Sequence, residues 1–400
     1  NVINNIISSG SNYPIDLRES PYSVLINNTM SSGAVGLLLY DSPNVNISGG
    51  SINSSETCIN FIGASHNINI NGVELRSLTG RGVSAVAGSN VSIDCQGKTI
   101  TGTNTSSTYG VYSDQFNTTI KNCNISNFSN GIYFNGADNG TIDNVSVYTS
   151  YTYTAPSNGY GIFLNTNSNY NQISNSNANA PAGKGISFTS CFNNTILNST
   201  GTSSSSQGIS LAGAGNNTFI NSTGISGTSI GFYLSVVSPY NTLINSTGYS
   251  TSDIGIYVSS SSYNTIINST GSSGANRGYY LRESSNNTFT NCNAIGKSNT
   301  FGAVSFYSDS QNNTFANSTI NGLGGTRAVT FVNDLNTGNL LINNTIINAT
   351  NLLYLDANAS GNTFCLNNFT DTSGVYVNDT NGSNFYNCTY GGTPATNGTN

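Results

Sequence analysis

Few side chains in this chain could do chemistry. It has 400 residues, of which 6% are charged, with one histidine and one methionine. The most suggestive group is Asp94, Lys121 and Asp143, which alternate in sign at similar intervals. A base between two acids suits proton transfer or ion binding. The simpler reading is a surface ion-pair column, each pair worth about 0–1 kcal/mol. Two carboxyls that hydrolyse a glycosidic bond must lie about 5–10 Å apart across it, and no Asp-Asp pair occurs here. His66, in Ser65-His66-Asn67, reads as a polar turn residue. A metal centre would need clustered His, Met or Cys. His66 and Met30 stand alone, and no two of the seven cysteines are close in sequence. The residues therefore point to no catalytic group, no metal site and no cofactor.

The elements that position these residues follow a repeat. Asn-Thr-apolar-any-Asn is clearest in Asn217-Thr218-Phe219-Ile220-Asn221 and Asn264-Thr265-Ile266-Ile267-Asn268. Its central apolar residue recurs as Leu25, Ile47, Ile70, Ile93, Ile120, Ile142, Ile173 and Ile196, then Phe219, Leu243, Ile266, Phe289, Phe315, Leu341, Phe364 and Phe385. Most steps are 22 to 24 residues, a solenoid period. A second strand precedes each anchor as Gly-apolar-any-apolar, for example Gly131-Ile132-Tyr133-Phe134 and Gly255-Ile256-Tyr257-Val258. Its alternation places one face inward. Leucine-rich repeats share the period but need a helical segment and a Leu core, and nothing between these anchors favours a helix. The predicted fold is all-β: a right-handed parallel β-helix of about sixteen coils of roughly 23 residues. It fills residues 1–390, with 391–400 a polar linker or tail. The anchor-plus-two Asn column, from Asn122 to Asn387, tolerates a left-handed bend and predicts an amide ladder between coils.

With these motifs the chain resembles the right-handed parallel β-helix repeat superfamily of pectate lyases, polygalacturonases, phage tailspikes, copper-associated periplasmic proteins and Asn/Ser-rich surface proteins of archaea and bacteria. The resemblance is specific for fold and unspecific for activity. Lyase-like members imply an Arg or Lys base beside acidic calcium ligands, and Asp94, Lys121 and Asp143 come nearest to that pattern. The copper-associated role lacks its ligands. Cys95 and Cys123 fall on adjacent coils, as do Cys365 and Cys388, so disulfides there are geometrically conceivable.

Three surface features carry the binding expectations. The outward slot of the Gly-apolar strand holds Tyr133, Phe163, Tyr233, Tyr257 and Tyr280, a structural stack or a platform for sugars and partner chains. The insertion from Tyr148 to Asn158 adds Tyr148, Tyr151 and Tyr153. Leu197, Ile220, Ile244, Ile267 and Ile342 follow their anchors and form an apolar stripe if that slot faces outward. Sequons at Asn198, Asn221, Asn245, Asn268 and Asn317 are candidate glycosylation sites, although the repeat itself generates them. A net charge of −6 with ten Lys and Arg argues against nucleic acid, and no apolar run reaches membrane-spanning length. The composition is that of secreted material, and the repeat starts at Val2-Ile3-Asn4 without a capping helix. The expectation is a non-catalytic extracellular structural protein that associates with copies of itself, head to tail or laterally, and meets surface glycans. The alternatives are a carbohydrate-active enzyme and a glycan-binding module.

Overall fold

The computed structural model describes residues 1–150, 159–298, 300–390 and 393–396. Its regular elements are all β-strands, with no helix among the described residues. The chain is a right-handed parallel β-solenoid of about sixteen turns, about 23 residues apart. It divides into two compact units, Asn1–Ser204 and Ser205–Asn400.

In the first unit each coil carries three short strands, as in Thr119–Lys121, Asn124–Ser126 and Asn130–Asn135. The anchors pair in register from Leu25 through Ile47, Ile70, Ile93, Ile120, Ile142 and Ile173 to Ile196. A second apolar column, Met30, Ile52, Leu75, Ile100, Ile125, Val147 and Ala178, follows the bend. Glycine opens the third strand because that strand lies tight against the second. A Cβ on Gly131 would run into the Val147 side chain on the second strand one coil on.

In the second unit the anchors pair from Phe219 through Leu243, Ile266, Phe289, Phe315 and Leu341 to Phe364. Phe289 and Phe315 stack at 4.3 Å, and both are fully buried. Burying one such side chain contributes about 1.5–3 kcal/mol. The expected anchor Phe385 departs from the column. It bridges to Thr363 rather than Phe364 and is 59% exposed, while Tyr386 stacks on Phe364. A slip of one residue exchanges the two faces of a strand. Asn387–Tyr390 and Thr393–Thr396 then pair antiparallel.

Two amide ladders brace the coils. The expected one has left-handed asparagines from Asn122 to Asn343, with Asn144 Nδ2 donating to Asn122 Oδ1 at 2.8 Å and Asn343 Nδ2 to Asn317 Oδ1 at 2.8 Å. The unexpected one is buried and uses the first Asn of the signature. In the second unit the backbone N–H of Asn241, Asn264, Asn287 and Asn313 each donates to the amide oxygen one coil on, at 2.8–2.9 Å. Their side-chain nitrogens donate to the same oxygens at 3.0–3.2 Å.

Candidate functional site

The first unit contains one departure from the repeat that shapes its surface. Leu75, Ile100 and Ile125 are in register, yet Ile93 to Ile100 spans two residues more than Ile70 to Leu75 or Ile120 to Ile125. The excess forms a turn at Gln96 and Gly97, both left-handed with φ of 51° and 81°. Lys98 N–H closes it on Cys95 O at 2.9 Å. A disulfide joins Cys95 to Cys123 on the next coil, and Asn124 Nδ2 donates to Gly97 O at 3.0 Å.

Beside this turn lies a groove of about 540 Å³, its polar lining supplied by Gln96, Asn122, Asn124, Asn144, Ser146, Asn175 and Asn177. Amides offer donors and acceptors together, which suits a ligand rich in hydroxyls. The charged row stands on the strands that lead into the same bend, where Asp94, Lys121 and Asp143 are in register on three successive strands. Lys121 Nζ is 3.5 Å from Asp94 Oδ2. Asp94 Oδ1 accepts from Asn122 Nδ2 and from Gln96 N–H, each at 3.0 Å. Desolvation pushes the Asp94 carboxyl up, but those two hydrogen bonds and the Lys121 ammonium outweigh it and hold the acid below its usual range. Asp143 Oδ1 accepts from Ser174 Oγ at 2.7 Å and from Asn175 Nδ2 at 2.9 Å. The row is thus coupled through Asn122 and Asn175 to the groove lining.

The other predicted residues lie elsewhere. Tyr148 ends the strand Ser146–Tyr148 and is exposed, while Tyr151 and Tyr153 lie outside the described residues. Tyr233, Tyr257 and Tyr280 stack at 4.9 and 4.5 Å in the second unit. Their ring faces meet one another, so the edges are what remain for solvent. Arg277 closes the stack 4.2 Å above the Tyr280 ring and 3.9 Å from Phe301. Leu197, Ile220, Ile244, Ile267 and Ile342 end their strands half-buried, on the face opposite the inward anchors. The sequon asparagines Asn198, Asn221, Asn245, Asn268 and Asn317 all occupy the left-handed bend, and Asn198 Nδ2 donates to Asn175 Oδ1 at 3.2 Å. His66 is exposed, with Nδ1 2.9 Å from Ser89 Oγ. Burial pushes the Cys58 thiol up to about 12. Cys365 is disulfide-bonded, and the side chain of Cys388 lies outside those described.

Stacked coils with this bend and groove define a right-handed parallel β-helix protein. The chain belongs to the right-handed β-helix family, whose sequence pattern, described as a right handed beta helix region, matches residues 57–224, 154–262, 203–335 and 254–398. No curated protein sequence matches it. Among solved structures it is similar to the Dettilon tailspike protein, at 15% identity and TM-score 0.43, covering 77% of this chain and 62% of that one. It is also similar to the catalytic domain of a GH87 alpha-1,3-glucanase in complex with tetrasaccharides, at 15% identity and TM-score 0.34, covering 85% and 65%. A third is the mannuronan C-5 epimerase A-module from Azotobacter vinelandii, at 13% identity and TM-score 0.32, covering 90% and 89%. Likeness at these identities shows the fold alone. The expectation of a non-catalytic structural, adhesive or filament-forming protein is withdrawn: the similar structures are a tailspike and carbohydrate-active enzymes, and a shared fold at these values assigns no role to this chain.

Proposed function

We propose that this chain is a carbohydrate-active β-helix protein that takes an acidic polysaccharide along the groove and cleaves it by elimination. The observation that carries the reading is a lysine set between two carboxylates beside a groove lined with amides. Lys121 pairs with a uronate carboxylate of the substrate and stabilises charge that develops beside it. The Asp143 carboxylate takes the proton from the carbon next to that carboxylate. The electron pair left behind forms a double bond to the adjoining carbon as its bond to the glycosidic oxygen breaks, and that oxygen leaves with a proton from solvent. Asp94 holds Lys121 in place. The Cys95–Cys123 disulfide supports an oxidising, extracytoplasmic location, where surface and free polysaccharides are met. No helix among the described residues is long and apolar enough to cross a membrane.

Incubation with a panel of acidic and neutral polysaccharides tests the reading. The ultraviolet absorbance of an unsaturated uronate end is expected with an acidic polymer and absent with neutral ones. Silence across the acidic polymers, or the same rate from Lys121→Met, overturns it.

A further inference from the structure

A surplus turn lines one end of the groove. The turn Cys95–Lys98 stands at the first of the four coils that line it, and Asn175 and Asn177 stand at the last. The turn is braced from both sides. Gly97 N–H donates to Asn122 O at 2.8 Å and the disulfide ties Cys95 to Cys123, so the next coil holds it from above. From below, the Gln96 side chain lies over Gly72, where an added Cβ would come 2.7 Å from Gln96 Oε1. At the far end no comparable excess occurs, since Ile173 to Ala178 and Ile196 to Gly201 keep the repeat's ordinary spacing.

We infer that the groove takes the end of a polysaccharide chain rather than its middle, with the disulfide-held turn as the stop. This rests on the reading of the groove as a saccharide site. It adds a mode of action: attack from one terminus, with short products. The coil of the stop and the coil of Asp143 are two strand spacings apart, about 10 Å. Only a short saccharide fits between the stop and the reacting carboxylate. A chain that continued past the turn would have to pass through Gln96 and Gly97. Reduction of the disulfide removes the covalent tie from above and leaves only hydrogen bonds there, so thiol treatment loosens the same selectivity.

The test uses oligogalacturonate and malto-oligosaccharide ladders in three forms: unmodified, labelled at the reducing end with a bulky fluorophore, or capped at the non-reducing end. Binding is measured by calorimetry and products by chromatography. Three proteins are compared: the intact chain, a deletion variant lacking Gln96 and Gly97, and the double variant Cys95→Ser with Cys123→Ser. The deletion restores the bend that the other coils use, and the double variant keeps the question open should the deletion fail to fold. For the intact chain, blocking one terminus is expected to weaken binding by roughly tenfold or more, while blocking the other has little effect, and short products appear first. Both variants are expected to lose that asymmetry, the deletion fully. Equal binding of both blocked forms with internal cleavage by the intact chain overturns the end-on mode and leaves the saccharide reading intact. No binding of any ladder overturns both.

Discussion

Lys121→Met keeps the aliphatic stem of the side chain and removes only the charge. Since a positioned proton-transfer or charge-stabilising group supplies about 10²–10⁴ in rate, kcat/KM on an acidic polymer is expected to fall by that range, as is that of Asp143→Asn. Thermal unfolding of Lys121→Met should move little, because a half-exposed pair is worth about 0–1 kcal/mol. A loss of rate accompanied by a large loss of stability would point to a structural lysine instead. Asp94 adds a pH dependence. Its carboxyl is held below the usual range in the folded chain, so its contribution to stability is full above the unfolded value, about 3.9, and is lost as pH falls through the folded one. Urea midpoints are therefore expected to decline below about pH 4, and less steeply in Asp94→Asn than in the parent.

At the scale of the bend and its ladders, the signature was legible and its division of labour was not. The left-handed column from Asn122 to Asn343 could be anticipated, since Asn is the residue that tolerates that backbone. The first Asn of the signature, which reads equally well as another turn residue, turns inward and carries the buried ladder. The two columns should respond differently to substitution. Asn264→Ala strips the acceptor from Asn241 N–H, and a stranded buried donor costs about 1–3 kcal/mol, while Asn241 Nδ2 keeps the Ala214 and Ser238 carbonyls. Asn268→Gly keeps the left-handed bend open and should cost under about 1 kcal/mol. Denaturant titration of the two variants checks the order, and equal losses would mean that the buried column is dispensable.

Over the whole molecule, the period of the anchors made the solenoid readable without coordinates, because a narrow core needs one apolar side chain per turn in the same slot. The groove escaped notice because spacing along a chain does not show what two surplus residues do at a bend. The insertion at 148–158 is conspicuous by its length, while Gln96-Gly97 lie in the 27-residue step from Ile93 to Ile120, whose excess the anchor spacing alone does not place at the bend. The disulfide pair could be placed on adjacent coils, but not its use as a brace. Global charge gives a further expectation. The chain carries −6 and its proposed substrate is a polyanion, so the two repel at long range. Screening lengths shrink from about 30 Å at 0.01 M to about 10 Å at 0.1 M ionic strength. Added salt over that interval should lower KM before it weakens the local pairing with Lys121. A KM that only rises with salt would contradict this.

The buried ladder of the second unit has a sense of direction. From Asn241 to Asn313 each backbone donor points to the amide of the following coil, and none of these bonds runs the other way. In these backbone bonds the column is therefore vectorial, its first coil offering an amide oxygen and its last an N–H, while the side-chain nitrogens of Asn241, Asn287 and Asn313 also donate back to carbonyls of the preceding coil. A nascent coil that docks on a finished one meets hydrogen-bonding groups already aligned for it, and in settling it aligns the groups that its own successor will need. Such a column works as a template that copies itself upward, so order spreads along the stack like a closing zip fastener.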